Sequence, residues 1–131
     1  MTAGLSAANL AHAWLNSIRG GGNGVTFTAP AAIFARVHIG DPGAAGTANP
    51  SAVTTGQAVT FGAATAGAIA LSNSPAFAMT ATETISHVSF WSAATAGTFY
   101  WSATLTTPRA VVNTDTLTLS SVGVSLAPLA A

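Results

Sequence analysis

The sequence has very few charged residues. Only 5% of its 131 residues are Asp, Glu, Lys or Arg, against about 25% in ordinary soluble domains. Lysine is absent, and the formal net charge is zero. Monomeric proteins usually stay apart through a charged surface and a net charge away from zero, so the shortage favours burial of the surface in an assembly. A small neutral monomer kept soluble by its hydroxyl groups is the alternative. The charged residues are Arg19, Arg36, Arg109, Asp41, Glu83 and Asp115.

Other absences exclude whole classes of protein. The sequence has no cysteine, which excludes a disulfide framework and thiolate metal sites. A neutral chain without lysine has little with which to neutralise a phosphate backbone, so we expect no nucleic-acid partner. No uninterrupted apolar run is long enough to span a bilayer. The first residues also lack the basic segment and apolar core of a signal peptide. We therefore expect no membrane association.

No motif indicates catalysis or metal binding. The three histidines lack ligand spacing, the three carboxylates are not grouped for acid–base chemistry, and no serine lies in a Gly-x-Ser-x-Gly elbow. The glycine-rich run at residues 20–24 follows a helix and carries no lysine, so it is a helix stop and hinge instead of a phosphate loop. We expect no catalytic residue, no cofactor and no metal ion, and therefore no enzyme.

One helix is predicted near the N-terminus. Ser6 can cap it, and it runs to about Arg19, where a cation complements the helix dipole. Leu10, Trp14 and Ile18 recur at every fourth position and form one apolar stripe. The stripe faces either the protein's own sheet or a neighbouring subunit.

Beyond the helix the pattern changes to that of β-strands. Residues 33–39 alternate between two faces, as a half-buried strand requires. Asp41, Pro42 and Gly43 then form a structural turn, and the small, polar residues 44–55 indicate an exposed loop. Further strands are predicted at residues 57–61, 68–72, 84–92, 98–105, 116–119 and 122–126.

The order of these elements predicts a mainly β fold. Short strands separated by Gly, Pro and Asn turns are typical of an antiparallel β-sandwich, here jelly-roll-like, with one N-terminal α-helix. Residues 1–22 form the N-terminal helix and glycine hinge, and residues 23–131 form the β-sandwich. Together they make a single domain.

One pentapeptide occurs twice. The sequence Ala-Ala-Thr-Ala-Gly stands at residues 63–67 and again at residues 93–97. Each copy lies between two predicted strands, so we expect two hairpins with the same connection. The flanking residues do not repeat, which argues against a solenoid.

Aromatic residues are concentrated in two neighbouring strands. Alternation places Phe90 and Trp91 on opposite faces of the sheet, and likewise Tyr100 and Trp101. One face fills the core, so the other is expected to expose large aromatics for a subunit contact or, alternatively, for sugar stacking. The candidate subunit or capsid contacts are Leu10, Trp14, Ile18, Trp91, Tyr100 and Trp101, together with the apolar C-terminal tail.

Five segments of the chain stand in a distinctive order and spacing: 37–43 (Val-His-Ile-Gly-Asp-Pro-Gly), 57–61, 85–97, 101–109 and 115–118. With the N-terminal helix before them, they resemble a family of small bacteriophage virion proteins labelled tail fibre or head decoration protein. The resemblance covers residues 5–126. The chain departs from the family at Gly56, where a basic residue is usual, and at Thr114, where glycine is usual.

The resemblance implies a non-enzymatic structural protein of the phage particle, assembled in the host bacterial cytoplasm. We expect a capsid decoration protein that binds the major capsid protein and stabilises the assembled shell. A minor tail or tail-fibre component that contacts the host surface is the alternative, and a carbohydrate-binding module is a third class. We expect a homo-oligomer, a trimer by analogy, because closed symmetry hides repeated neutral patches.

Overall fold

The computed structural model describes residues 3–19 and 26–126, and it confirms a mainly β, antiparallel fold with one short N-terminal helix. The predicted glycine stop at residues 20–22 and the apolar tail lie outside the described residues. The elements are a π-helical turn at Ala7–Ala11, α1 at His12–Ser17, β1 at Ile33–His38, β2 at Gln57–Val59, β3 at Ala68–Ala70, β4 at Ala76–Ala78, β5 at Glu83–Trp91, β6 at Phe99–Val111, β7 at Thr116–Thr118 and β8 at Gly123–Ser125.

The helical segment begins at the predicted cap but is not α-helical throughout. The Ser6 hydroxyl accepts a hydrogen bond from the Asn9 backbone N–H at 3.3 Å. The next turn is a π-helix, because the Ser6 carbonyl accepts from both the Leu10 and the Ala11 N–H. The Asn9 side-chain amide donates to the Phe99 carbonyl at 2.9 Å and ties this turn to β6. The α-helix that follows is shorter than predicted.

The main sheet has four antiparallel strands in the order β2-β1-β5-β6. Its edge strand β6 is covered at one end by the N-terminal chain, since the Ser6 N–H donates to the Tyr100 carbonyl at 2.7 Å and the Ser102 N–H donates to the Gly4 carbonyl at 2.9 Å. Further along, the register with β5 is broken by a bulge, and β6 contains Pro108. Bulges and edge prolines discourage unwanted strand addition.

Two separate ribbons form the second layer. β3 pairs with β8, and β4 pairs with β7, both antiparallel. They share one core with the main sheet, in which Phe77 from β4 and Val88 and Phe90 from β5 are almost fully buried. The predicted sandwich is thus closed by two ribbons instead of one continuous second sheet. Strand β4 was not predicted, because Ala76 and Ala78 beside Phe77 give little β signal.

The repeated pentapeptide takes the same two backbone conformations in both copies, but the connections differ, so the expectation of identical connections is wrong. In the first copy Thr65 and Ala68 exchange backbone hydrogen bonds around a two-residue turn, whereas the second copy is closed by the Ser92 N–H, which donates to the Thr98 carbonyl. Ala66 and Ala96 have φ of 49° and 52°, and the glycines that follow have φ of 74° and 83°. Consecutive positive φ values give the twist that suits an antiparallel hairpin, and glycine takes the second position without steric cost. The second copy joins β5 to β6, and the first leads into β3.

The main sheet is covered on both faces, and the expectation that its second face exposes large aromatics is wrong. Phe90 stacks on Trp101 in the core, with ring centroids 4.5 Å apart. Trp91 lies on the opposite face against Phe99 at 5.3 Å, and yet it is only 6% exposed. The cover is the segment at residues 39–56, which we call the covering loop. Most of its side chains face solvent, but its backbone lies across the aromatic face.

Gly46 is where the covering loop comes closest to that face. Its φ is +73°, and a Cβ atom there would overlap the Phe99 ring. Gly43 has a similar φ of +74°, but its Cβ would meet only the Ala48 Cβ at 3.7 Å. Both glycines therefore need a positive φ, but only at Gly43 is there space for a Cβ atom.

We predict that Gly46→Ala destabilises the protein by about 2–4 kcal/mol, because it adds overpacking to backbone strain. Gly43→Ala, the matched control, should cost only the backbone strain of about 1–2 kcal/mol. Urea unfolding of the two variants measures the difference. Equal losses would show that the covering loop does not press on Phe99.

Candidate functional site

Four side chains form a polar cluster on the covered face of the main sheet. Arg36 and His38 come from β1, and Ser89 and Trp91 come from the antiparallel neighbour β5. Each pair is two residues apart, so strand alternation places all four on the same face. The opposite positions Ala35, Val37, Val88 and Phe90 are buried in the core.

A chain of hydrogen bonds links the sheet to the covering loop. The Trp91 indole N–H donates to the Ser89 hydroxyl at 2.7 Å, and that hydroxyl lies 2.7 Å from His38 Nε2. His38 Nδ1 lies 2.9 Å from the Ala48 carbonyl. A carbonyl only accepts, so Nδ1 carries the proton and Nε2 accepts from Ser89. When His38 is neutral, the Trp91 N–H, the Ser89 hydroxyl and both ring nitrogens of His38 each have a hydrogen-bond partner.

The neutral form of His38 is also favoured by its surroundings. Burial is the main cause that lowers the pKa of His38 below its ordinary value of 6.5. The positive charge of Arg36 and the neighbouring His87 lower it further, and hydrogen bonds to the carbonyls of Ala48 and Asn49 oppose the shift. His38 faces His87 directly across the β1–β5 pair.

The covering loop is held by its own turn and by the sheet beneath it. The Asp41 carboxylate accepts from the Gly43 N–H at 2.8 Å, which closes the turn at residues 41–43. The Asn49 side-chain amide donates to the Asp41 carbonyl at 2.8 Å. At the far end the Ser51 hydroxyl donates to Glu83, whose second oxygen accepts from the Ala52 N–H at 3.2 Å.

All three carboxylates of the chain thus accept hydrogen bonds from backbone N–H groups. Besides Asp41 and Glu83, Asp115 accepts from the Val112 N–H at 2.9 Å. Each carboxylate stabilises a loop or turn instead of an arginine. In residues 3–19 and 26–126, no arginine lies within ion-pair distance of a carboxylate, and Arg36 in particular has no counter-ion there.

Arg36 instead binds an aromatic ring and main-chain carbonyls. Its guanidinium carbon lies 4.1 Å from the centroid of the Trp91 ring. Nε donates to the Ala94 carbonyl at 3.2 Å, and Nη2 donates to the carbonyls of Ala93, at 3.0 Å, and of Ala96. These bonds pin the β5–β6 hairpin loop to β1. A cation–π contact of this kind contributes about 0.5–2 kcal/mol.

A small pocket opens beside this arginine. Its volume is about 140 Å³. Arg36, His38 and Trp91 line its sheet side, and Thr47 and Thr54 line it from the covering loop. Sequence reasoning missed Arg36 and Ser89 as members of a site. Their shared strand parity with His38 was the signal that could have found them.

Four of the six predicted contact residues lie together elsewhere. Leu10, Trp14, Tyr100 and Trp101 line an apolar cavity of about 160 Å³ between the helical segment and the sheet. Leu10 and Trp101 are buried, and Trp14 and Tyr100 are half-buried. The helix stripe therefore packs largely on the protein's own sheet.

The remaining two predicted contacts, Trp91 and Ile18, differ in their exposure to solvent. Trp91 is buried under the covering loop, whereas Ile18 is 79% exposed. Leu15, beside it on the helix, is 63% exposed. The side chains of Leu10, Trp91 and Trp101 face the interior, so a partner could reach only the others without rearrangement. The contact role of the exposed and half-buried residues stays a prediction.

The described part of the chain gathers no group of three or more His, Asp or Glu side chains that could hold a metal ion. Among the helices in that part, none is long and apolar enough to cross a membrane. The cluster around Ser89 has neither an exposed nucleophile nor a paired acid and base. Its geometry supports a structural role, in which β1, β5 and the covering loop are held together.

We predict that Ser89→Ala destabilises the protein by about 2–4 kcal/mol, because the Trp91 N–H and His38 Nε2 both lose a buried partner. Ser86→Ala is the matched control on the same strand. Ser86 is half-buried and contacts only the His87 ring, at 2.8 Å, so its loss should cost about 1 kcal/mol or less. Chemical denaturation compares the two. A Ser89→Ala loss no larger than the control would contradict the network.

We also predict that the stability of the protein falls as the pH is lowered below 6.5, which is the ordinary pKa of a histidine side chain. The pKa of His38 is lower in the folded state than in the unfolded state, so the unfolded chain binds the proton more readily. The contribution of His38 to the free energy of unfolding is fully present above pH 6.5. It is lost as the pH falls towards the pKa that His38 has in the folded protein. Denaturation midpoints across this range measure it. His38→Gln should flatten the slope, and an unchanged slope in that variant would rule His38 out as its source.

Comparison with protein-family models gives a match over most of the chain. A family model described as "Podophage GP4 fiber I protein gp80" matches residues 5–127. No curated protein matches the chain significantly. The matched residues include the covering loop, the polar cluster and all eight strands.

Proposed function

The chain belongs to the family of the podophage GP4 fibre I protein gp80, and on this premise we propose that it is a non-enzymatic structural subunit of a phage fibre. The resemblance seen in the sequence to a phage tail-fibre-like virion family is confirmed by the match. The observation that carries the proposal is the extent of that match, which runs over residues 5–127. Because the family is described as a fibre protein, we propose the fibre role ahead of the capsid decoration role expected first.

Decoration of the shell stays the alternative. A fibre subunit and a decoration protein both need surfaces that are easily desolvated, and a chain with 5% charged residues has such surfaces. They differ in copy number and in partner. A fibre subunit would bind copies of itself and a few tail or head attachment proteins, whereas a decoration protein would bind the major capsid protein throughout the shell.

Self-association has a physical basis in the fold. The exposed apolar side chains of Leu15 and Ile18 stand on the outer side of the helix, close in sequence to the half-buried Trp14. Contiguous apolar residues at a surface mark contact sites. We propose a homo-oligomer, by analogy a trimer, with Ile18, Trp14 and Tyr100 as the remaining candidate contacts from the sequence. Leu10, Trp91 and Trp101 would support the interface from within the core.

The proposed mechanism is mechanical. Both faces of the main sheet are covered, and its edge strand is protected by the N-terminal chain, a bulge and Pro108. Such a unit can be repeated along a fibre without uncontrolled strand pairing. The carboxylates are used to hold loops, which leaves a surface rich in small and hydroxyl side chains for packing.

The number of copies per particle tests the proposal. Quantitative mass spectrometry of purified phage particles, with the major capsid protein as internal reference, should find far fewer copies of this chain than of the capsid protein, in a multiple of three. A number comparable to the capsid protein would favour decoration. Absence from washed, intact particles would overturn the assignment to the virion.

A further inference from the structure

Arg36 has an unused hydrogen-bonding edge. A guanidinium has five N–H donors and stays charged in proteins. The three hydrogen bonds to the hairpin carbonyls involve Nε and Nη2. No acceptor in the described residues bonds to Nη1. The same side chain is among the residues that line the pocket of about 140 Å³, so the unused edge belongs to a residue of the pocket wall.

None of the acidic side chains of the protein pairs with Arg36. Its three acidic side chains are Asp41, Glu83 and Asp115, and each is hydrogen-bonded to a loop elsewhere. Backbone carbonyls carry only partial charge, so the half-buried guanidinium lacks a full counter-charge among the described residues. A half-buried cation without a counter-ion favours an anion from outside the chain.

The pocket is also ordered before any ligand arrives. The Trp91 ring and the hairpin carbonyls fix the plane of the Arg36 guanidinium, and the hydrogen-bonded His38 fixes one wall. Thr47 and Thr54 complete the lining on the side of the covering loop. Side chains held in place lose little entropy on binding.

The size of the pocket limits what it can take. Pockets that hold a whole drug-sized ligand measure about 300–1,000 Å³, whereas this one measures about 140 Å³. It can admit one end group and a few neighbouring atoms. A planar carboxylate matches guanidinium hydrogen bonding, and hydroxyl neighbours of that carboxylate would meet the two threonines.

We propose that the Arg36 pocket binds the carboxylate end of a small ligand, with Arg36 Nη1 as the charged donor and Thr47 and Thr54 as rim contacts. The carboxylate can come from a uronic acid unit of a saccharide or from a free small acid. The binding chemistry is the same for both, and it does not depend on where the particle carries the chain.

Titration of the full-length protein tests this, with sodium glucuronate, sodium acetate and glucose as probes, by calorimetry and tryptophan fluorescence. We expect saturable binding of glucuronate, weakened by added salt, and none of glucose. Arg36→Gln should lose roughly ten- to a hundredfold in affinity. Arg109→Gln, which removes an exposed arginine on β6, should bind as the wild type does.

Two further comparisons complete the test. Tighter binding of glucuronate than of acetate supports a saccharide source, and equal binding supports a free acid. If Arg36→Gln perturbs the hairpin loop, as near-ultraviolet circular dichroism would show, Thr54→Val tests the pocket with the arginine bonds intact, and we expect a severalfold loss. Any of three results would overturn the proposal. The wild type could fail to bind a carboxylate saturably, both pocket variants could bind as the wild type does, or Arg109→Gln could lose as much affinity as Arg36→Gln.

Discussion

The Ser89 hydroxyl is the point at which the two halves of the covered face are joined. It is fully buried, accepts from the Trp91 indole and donates to His38, which in turn donates to the Ala48 carbonyl of the covering loop. One hydroxyl thus holds both the Trp91 indole and the His38 ring, while the Ala48 carbonyl sets the tautomer of His38 and ties the loop to it. Buried polar groups are costly unless all are satisfied, so this arrangement specifies one loop conformation.

That constraint shapes the arginine pocket as well. Trp91 supplies the ring on which the Arg36 guanidinium lies, and the covering loop supplies the threonines opposite it. The pocket exists because the loop is anchored over the sheet, while the arginine also anchors the β5–β6 hairpin loop. Support of the fold and the proposed ligand contact therefore depend on the same few residues.

The scarcity of charge has consequences at two scales. Within the chain, Asp41, Glu83 and Asp115 are hydrogen-bonded to loop backbone, and the arginines in the described residues find no carboxylate partner. At the surface, a shortage of ions makes desolvation inexpensive, as the proposed packing against copies of the same chain requires. The match shows this composition in a member of the podophage GP4 fibre I protein gp80 family.

Local patterns in the sequence were enough to determine the mainly β class, the principal strands β1 and β5, the cap at Ser6 and the position of the hairpin between β5 and β6, because alternation, capping and positive-φ glycine act over a few residues. The sequence also determined the low charge and the resemblance to phage virion proteins. Only the tertiary structure decided that the covering loop hides Trp91, that Leu10 and Trp101 face one cavity, and that Arg36 has no carboxylate partner among the described residues. These outcomes depend on contacts between segments distant in sequence, such as Gly46 with Phe99, for which strand periodicity carries no information.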